Sequence, residues 1–194
     1  MAPWHRGLLK WARLVHLYLS LFALALVVFF SVTGFMLNHE DWFVPPTSFD
    51  RTHAGKIPTE LLAEPDKLAV AELLRKDYGA VGLVDSFETE EDRLRVVFKR
   101  PGTEVEAIIQ RESGEAEVTV RTRGVWAVLL DLHRGKSTGA AWSFVIDATC
   151  VVLLILSATG LIMWSSLKSR GRYGLVVVAV GAVLSVVVVL LFAL

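Results

Sequence analysis

The sequence predicts an α-helical membrane protein with three transmembrane helices and one small α+β domain, a helix against an antiparallel meander, outside the bilayer. Three observations predict it. The 194-residue chain is 54% hydrophobic with a mean hydropathy of +0.52, too apolar for an ordinary soluble domain. The excess is gathered in three blocks, residues 11–37, 140–165 and 173–194, each beyond the roughly 20 apolar residues that cross a bilayer as a helix. Between the first two lies a polar stretch of roughly a hundred residues, enough for one small domain.

Residues 1–10 form a basic N-terminal segment. The block at 11–37 has an apolar core longer than the roughly 7–15 residues of a signal peptide. Asn38-His39-Glu40-Asp41-Trp42 follows without a small-residue cleavage site, so the block reads as an uncleaved signal anchor. Residues 38–139 make the outer domain. Its first part, 44–65, carries Pro45, Pro46, Pro58 and Pro65 and reads as a tether from the membrane. Asp66 caps a helix through Leu68, Val70, Leu73 and Leu74 to Tyr78, stopped by Gly79. Four strand-like runs follow: 81–88, 93–100, 104–111 and 115–122. Three alternate cleanly, through Leu94, Val96 and Phe98, then Val105, Ala107 and Ile109, then Ala116, Val118 and Val120, with turns at Pro101-Gly102 and Ser113-Gly114. Residues 124–132 are apolar but too short to span, and are expected to lie along the membrane surface, leading into His133. The second span is 140–165, the connecting loop 166–172, the third span 173–194.

Basic residues in short flanks orient the spans. Arg6, Lys10 and Arg13 precede the first; Lys168, Arg170 and Arg172 join the second to the third. Both groups belong on the cytoplasmic side, so the outer domain is expected on the opposite side. Trp11, Trp164 and Tyr173 then fall at the inner interface, Trp42 and Trp142 at the outer one. The lipid bilayer is thus the first partner. The formal net charge is zero, and no basic cluster is dense enough for nucleic acid. The single cysteine, Cys150, lies within the second span. It is expected to be a small buried apolar residue, and the outer domain has no disulfide.

Chemistry is concentrated in histidines. His16, His39 and His133 lie at the ends of apolar segments, where a polar group is costly and usually functional. Imidazole there can ligate haem iron, copper or zinc. His16 and His39 are over about 30 Å apart on one helix and cannot share a metal in one protomer. His39 and His133 can, both being at the outer ends of adjacent spans. They are expected either to pair on a haem, or to hydrogen-bond the tether or a headgroup, or to hold copper or zinc with His53, Glu40 or Asp41. His16 is left to ligate alone, to pair with His16 of a second copy, or to contact Ser165 or a lipid phosphate. Each histidine-bearing segment closes on Ser-x-Thr-Gly: Ser31-Val32-Thr33-Gly34 after His16, and Ser157-Ala158-Thr159-Gly160 after His133. The glycines allow close approach of a helix or of a porphyrin face. Asp147, about two turns into the second span, is expected either to accept an imidazole N–H or to bond Ser31 or Thr33.

At His16-Leu17-Tyr18-Leu19-Ser20-Leu21, Thr33-Gly34-Phe35-Met36-Leu37-Asn38-His39, Leu132-His133-Arg134-Gly135-Lys136, Asp147 and Ser157 to Trp164, the chain resembles the bacterial PepSY-associated transmembrane helix proteins. The helix and meander ending at Ser113-Gly114 resemble the PepSY module. The resemblance places the chain in the bacterial inner membrane with a periplasmic domain. Larger relatives include inner-membrane reductases of siderophore-bound iron that hold b-type haem between helices through histidines. It therefore implies haem b on His39 and His133, with His16 and Asp147 in support. It also implies electron transfer to the periplasm for reduction of iron or another metal. Without nicotinamide or flavin motifs, a quinol or a redox partner would supply the electrons. Three spans rather than four leave no full set of histidine pairs for a relay of several haems in one protomer. The competing expectation is a non-enzymatic, membrane-anchored module that binds a periplasmic protein.

Overall fold

The computed structural model describes all residues except 1–2, 46–47, 64, 167–170 and 193–194. Pro46 of the expected tether, and Lys168 and Arg170 of the expected cytoplasmic loop, lie outside the described residues. The chain runs α1 (Pro3–Asn38), α2 (Glu40–Phe43), β1 (Phe49–Lys56), α3 (Glu60–Ala63), α4 (Lys67–Tyr78), β2 (Leu83–Thr89), β3 (Arg93–Arg100), β4 (Thr103–Gln110), β5 (Glu115–Thr122), α5 (Gly124–Arg134), α6 (Ala140–Ser165) and α7 (Gly171–Phe192). Helices α1, α6 and α7 are long and apolar enough to cross a membrane. The first begins ahead of its apolar block because Leu8, Leu9, Lys10 and Ala12 are good helix formers. The chain forms two compact units, residues 27–146 and residues 1–26 with 147–194.

The first unit carries one antiparallel sheet in the order β1-β5-β4-β3-β2. The alternation read from the sequence sets its register. Leu94 faces Ile109, Val96 faces Ala107 and Phe98 faces Val105; Ala107 in turn faces Val118. These side chains are fully buried and meet Val70, Ala71 and Leu74 of α4. That helix starts where expected: the Asp66 carboxylate accepts from Leu68 N–H at 2.9 Å. It ends at Gly79, whose φ of 63° is a left-handed cap.

The tether is not wholly a tether. Residues 49–56 form β1, an edge strand paired along β5 from Phe49 opposite Thr122 to Lys56 opposite Glu115. All but one of its residues are exposed, so there is no apolar alternation to reveal it; the backbone ladder alone defines it. The short helix α3 follows and sends Leu62 into the core. The meander opens later than expected, at Leu83, with a bulge between Val84 and Ser86.

Residues 124–132 belong to α5, an amphipathic helix that buries Ala127, Leu130 and Asp131 and exposes Val125 and Trp126. Asp131 ties it to the sheet: its carboxylate accepts from Gly102 N–H at 2.9 Å and from Arg123 Nη2 at 3.2 Å. In α6, Cys150 is exposed rather than packed, because it lies on a face of the helix that no other described segment covers.

Candidate functional site

In the 27–146 unit, the last turn of α5 meets the C-terminal part of α1. Trp142 at the start of α6 donates its indole N–H to Leu132 O at 2.8 Å and packs edge-on to Phe29. Arg134 pairs with Glu40. These contacts, with the left-handed Gly135 cap ending α5, bring the His133 ring to Thr33. Its Nδ1 lies 2.7 Å from Thr33 Oγ1. Phe30 stands edge-on to the ring at 5.4 Å.

The arrangement that serves both of the threonine's contacts assigns the donor. A helical Thr hydroxyl gives its single proton to the carbonyl one turn back, and Thr33 does so to Phe29 O at 2.7 Å. Towards His133 it can only accept. In that arrangement the neutral imidazole is the Nδ1–H tautomer, whose lone pair lies on Nε2. Gly34 explains why the ring fits: a Cβ there would lie 3.2 Å from His133 Cε1.

The other unit contains a second contact built the same way. His16 Nδ1 lies 2.9 Å from Thr159 Oγ1, and Thr159 donates to Ile155 O at 2.8 Å. A Cβ on Gly160 would lie 3.6 Å from His16 Cε1. Both threonines are buried. Each Ser-x-Thr-Gly thus receives the histidine of the other segment at its threonine, with the ring lying over the glycine; the space is tight at Gly34 and ordinary contact at Gly160. That reciprocity is what sequence reading missed, although the repeated motif was its signal.

His39 joins α1 to α2. Its Nδ1–H donates to Phe35 O at 3.0 Å, and its ring lies 4.5 Å from that of Phe35 and 4.1 Å from that of Trp42. All three imidazole N–H groups are thus taken up by Thr33, Thr159 and the Phe35 carbonyl, and Asp147 accepts none of them. The Asp147 carboxylate is exposed and has no hydrogen bond or ion pair among the described residues. His53 is exposed on β1, opposite Val118. Among the described residues, no three or more His, Cys, Asp or Glu side chains gather as a metal cluster.

Fold and site together define a membrane protein with three apolar helices and a five-stranded antiparallel sheet domain, in which histidine contacts join the helical segments. Residues 10–193 match the family described as "Putative PepSY_TM-like", and the chain belongs to that family. Neither the curated proteins nor the solved structures give a match.

Proposed function

We propose that this is an inner-membrane protein that binds b-type haem and passes electrons to a periplasmic acceptor, such as iron or another metal. One observation carries the reading. Thr33 Oγ1 occupies Nδ1 of His133 and the Phe35 carbonyl occupies Nδ1 of His39, which leaves Nε2 of each neutral ring as the ligating nitrogen. A ligating histidine needs one such nitrogen, with its other nitrogen held by an acceptor. The donor set suits haem, which takes one or two imidazoles, better than copper or zinc, which need further donors. His133 and His39 are assigned as ligands at the outer end and His16 at the inner end, where it stands alone or pairs with a second copy. Bound haem supplies a one-electron couple. The chain's own residues orient the imidazoles, pack Phe30 against His133 and Trp42 against His39, and anchor the sheet domain on the periplasmic side. Electrons would come from a quinol or a redox partner.

A second reading is favoured by Gly34, whose open face is filled by the His133 ring itself. In it the histidine–threonine contacts only fasten helices, and the sheet domain binds a periplasmic protein. Haem content separates the two. Protein purified in mild detergent should show a b-type spectrum, with haem measured as the pyridine haemochromogen. His133→Ala and His39→Ala should each remove most of it, and the double variant should be little worse, since the two ligands act as a unit. Colourless protein, or full haem in both single variants, would leave the fastening reading standing.

A further inference from the structure

Where the β3–β4 turn, the end of β5 and the 135–139 loop converge, within the 27–146 unit, there is a cleft of about 290 Å³. Five cationic side chains line it, against the carboxylates of Glu104 and Asp131. Three of the cations are committed. Lys99 bonds Asp85 at 2.7 Å, Arg121 reaches Glu104 at 3.2 Å and Glu106 at 3.1 Å, and Arg123 reaches Asp131 at 3.2 Å. Arg100 and Lys136 have no carboxylate partner among the described residues. A guanidinium fork and an ammonium over one small polar cleft are phosphate-binding chemistry.

The loop itself adds a second observation. Ser137 has φ 58°, the one positive φ among the described non-glycine residues, between Gly135 at 66° and Gly139 at 78°. A non-glycine residue there is strained, and such strain persists where surrounding structure enforces it. The enforcement is visible: Lys136 N–H donates to Asp131 O at 3.0 Å and the Thr138 hydroxyl to Gly135 O at 3.0 Å. Glycine would relieve the strain, whereas serine keeps a hydroxyl on a residue that lines the cleft. Third, α6 begins at Ala140, three residues after Ser137. The cleft therefore opens where the chain enters its apolar span, at the level of lipid headgroups, with Trp142 just inside.

We infer that this cleft is a binding site for a phosphate group, and assign it to the headgroup of an anionic phospholipid. The assignment is independent of whether the histidines hold haem. Retention of phosphatidylglycerol, of phosphatidylcholine with the same acyl chains, and of inorganic phosphate would be measured on the full chain by native mass spectrometry from mild detergent. Phosphatidylglycerol should be retained preferentially. The double variant Arg100→Ala/Lys136→Ala should lower its retention about tenfold, at about fivefold or less per cation. Lys67→Ala/Lys76→Ala, which removes the same charge from α4, should leave it unchanged. Ser137→Gly should raise the Tm yet weaken retention, a combination that a purely structural serine would not give. Equal retention of both lipids, or equal loss in both double variants, would overturn the site. Displacement of phosphatidylglycerol by millimolar inorganic phosphate would overturn the lipid assignment in favour of a soluble phosphate.

Discussion

Thr33 sits at the meeting point of two demands. Its hydroxyl proton satisfies the Phe29 carbonyl and its lone pair takes the His133 N–H. Thr33→Val keeps the shape and removes both. It should cost roughly 1–2 kcal/mol, a modest interhelical hydrogen bond plus a stranded imidazole N–H. Thr33→Ser should recover most of it. Thermal unfolding in detergent, followed by tryptophan fluorescence, would measure both, and equal Tm values for all three proteins would contradict the contact. Gly34→Val should be worse than Thr33→Val, because its side chain would extend into the space of the His133 ring. The sequence displayed both motifs and both glycines. It could not display which histidine meets which motif, since that depends on how segments a hundred residues apart are laid together.

At the level of elements, the sheet divides its two faces by chemistry. The buried face is apolar, while the other is laced by charges that cross strands. Glu106 of β4 accepts from Arg95 Nε at 2.7 Å and from Arg121 Nη1 at 3.1 Å. The hydrogen bond from Arg95 holds its carboxyl below the ordinary glutamate value. Its contribution is therefore complete above the usual glutamate range, about pH 4, and is lost as pH falls through the lowered value. Glu106→Gln should cost about 1 kcal/mol at neutral pH and flatten the acid limb of the stability profile. Urea midpoints of the full chain between neutral and acid pH would test this, and an unchanged acid limb would reject it. The Asp131 link between α5 and the β3–β4 turn is a sharper dependence. Asp131→Leu strands Gly102 N–H in a buried place and should cost about 2 kcal/mol, more than Asp131→Asn, which keeps an acceptor.

For the molecule as a whole, the basic flanks predict the side of the membrane on which the sheet domain lies. Arg6, Lys10 and Arg13 precede the first span, and Lys168, Arg170 and Arg172 lie between the second and third. Positive flanks stay inside. A reporter active only in the periplasm should therefore work when fused after Thr122 and be silent when fused after Arg170. The reverse pattern would invert the orientation and place the phosphate cleft on the cytoplasmic side.

The sequence by itself determined the three apolar helices, the capped helix α4 and the three alternating strands. Each of these is written in a local period: a run of apolar residues, a cap, or every second side chain buried. Tertiary structure decided what had no local period. Strand β1 is exposed along nearly its whole length and exists because β5 offers it a ladder. Asp131 reads as an ordinary helix charge until Gly102 and Arg123 close on it. The pairing of His133 with Thr33, and of His16 with Thr159, spans 100 and 143 residues of sequence. Hydrogen bonds of that reach are chosen by which helices pack together, and no window along the chain contains both partners.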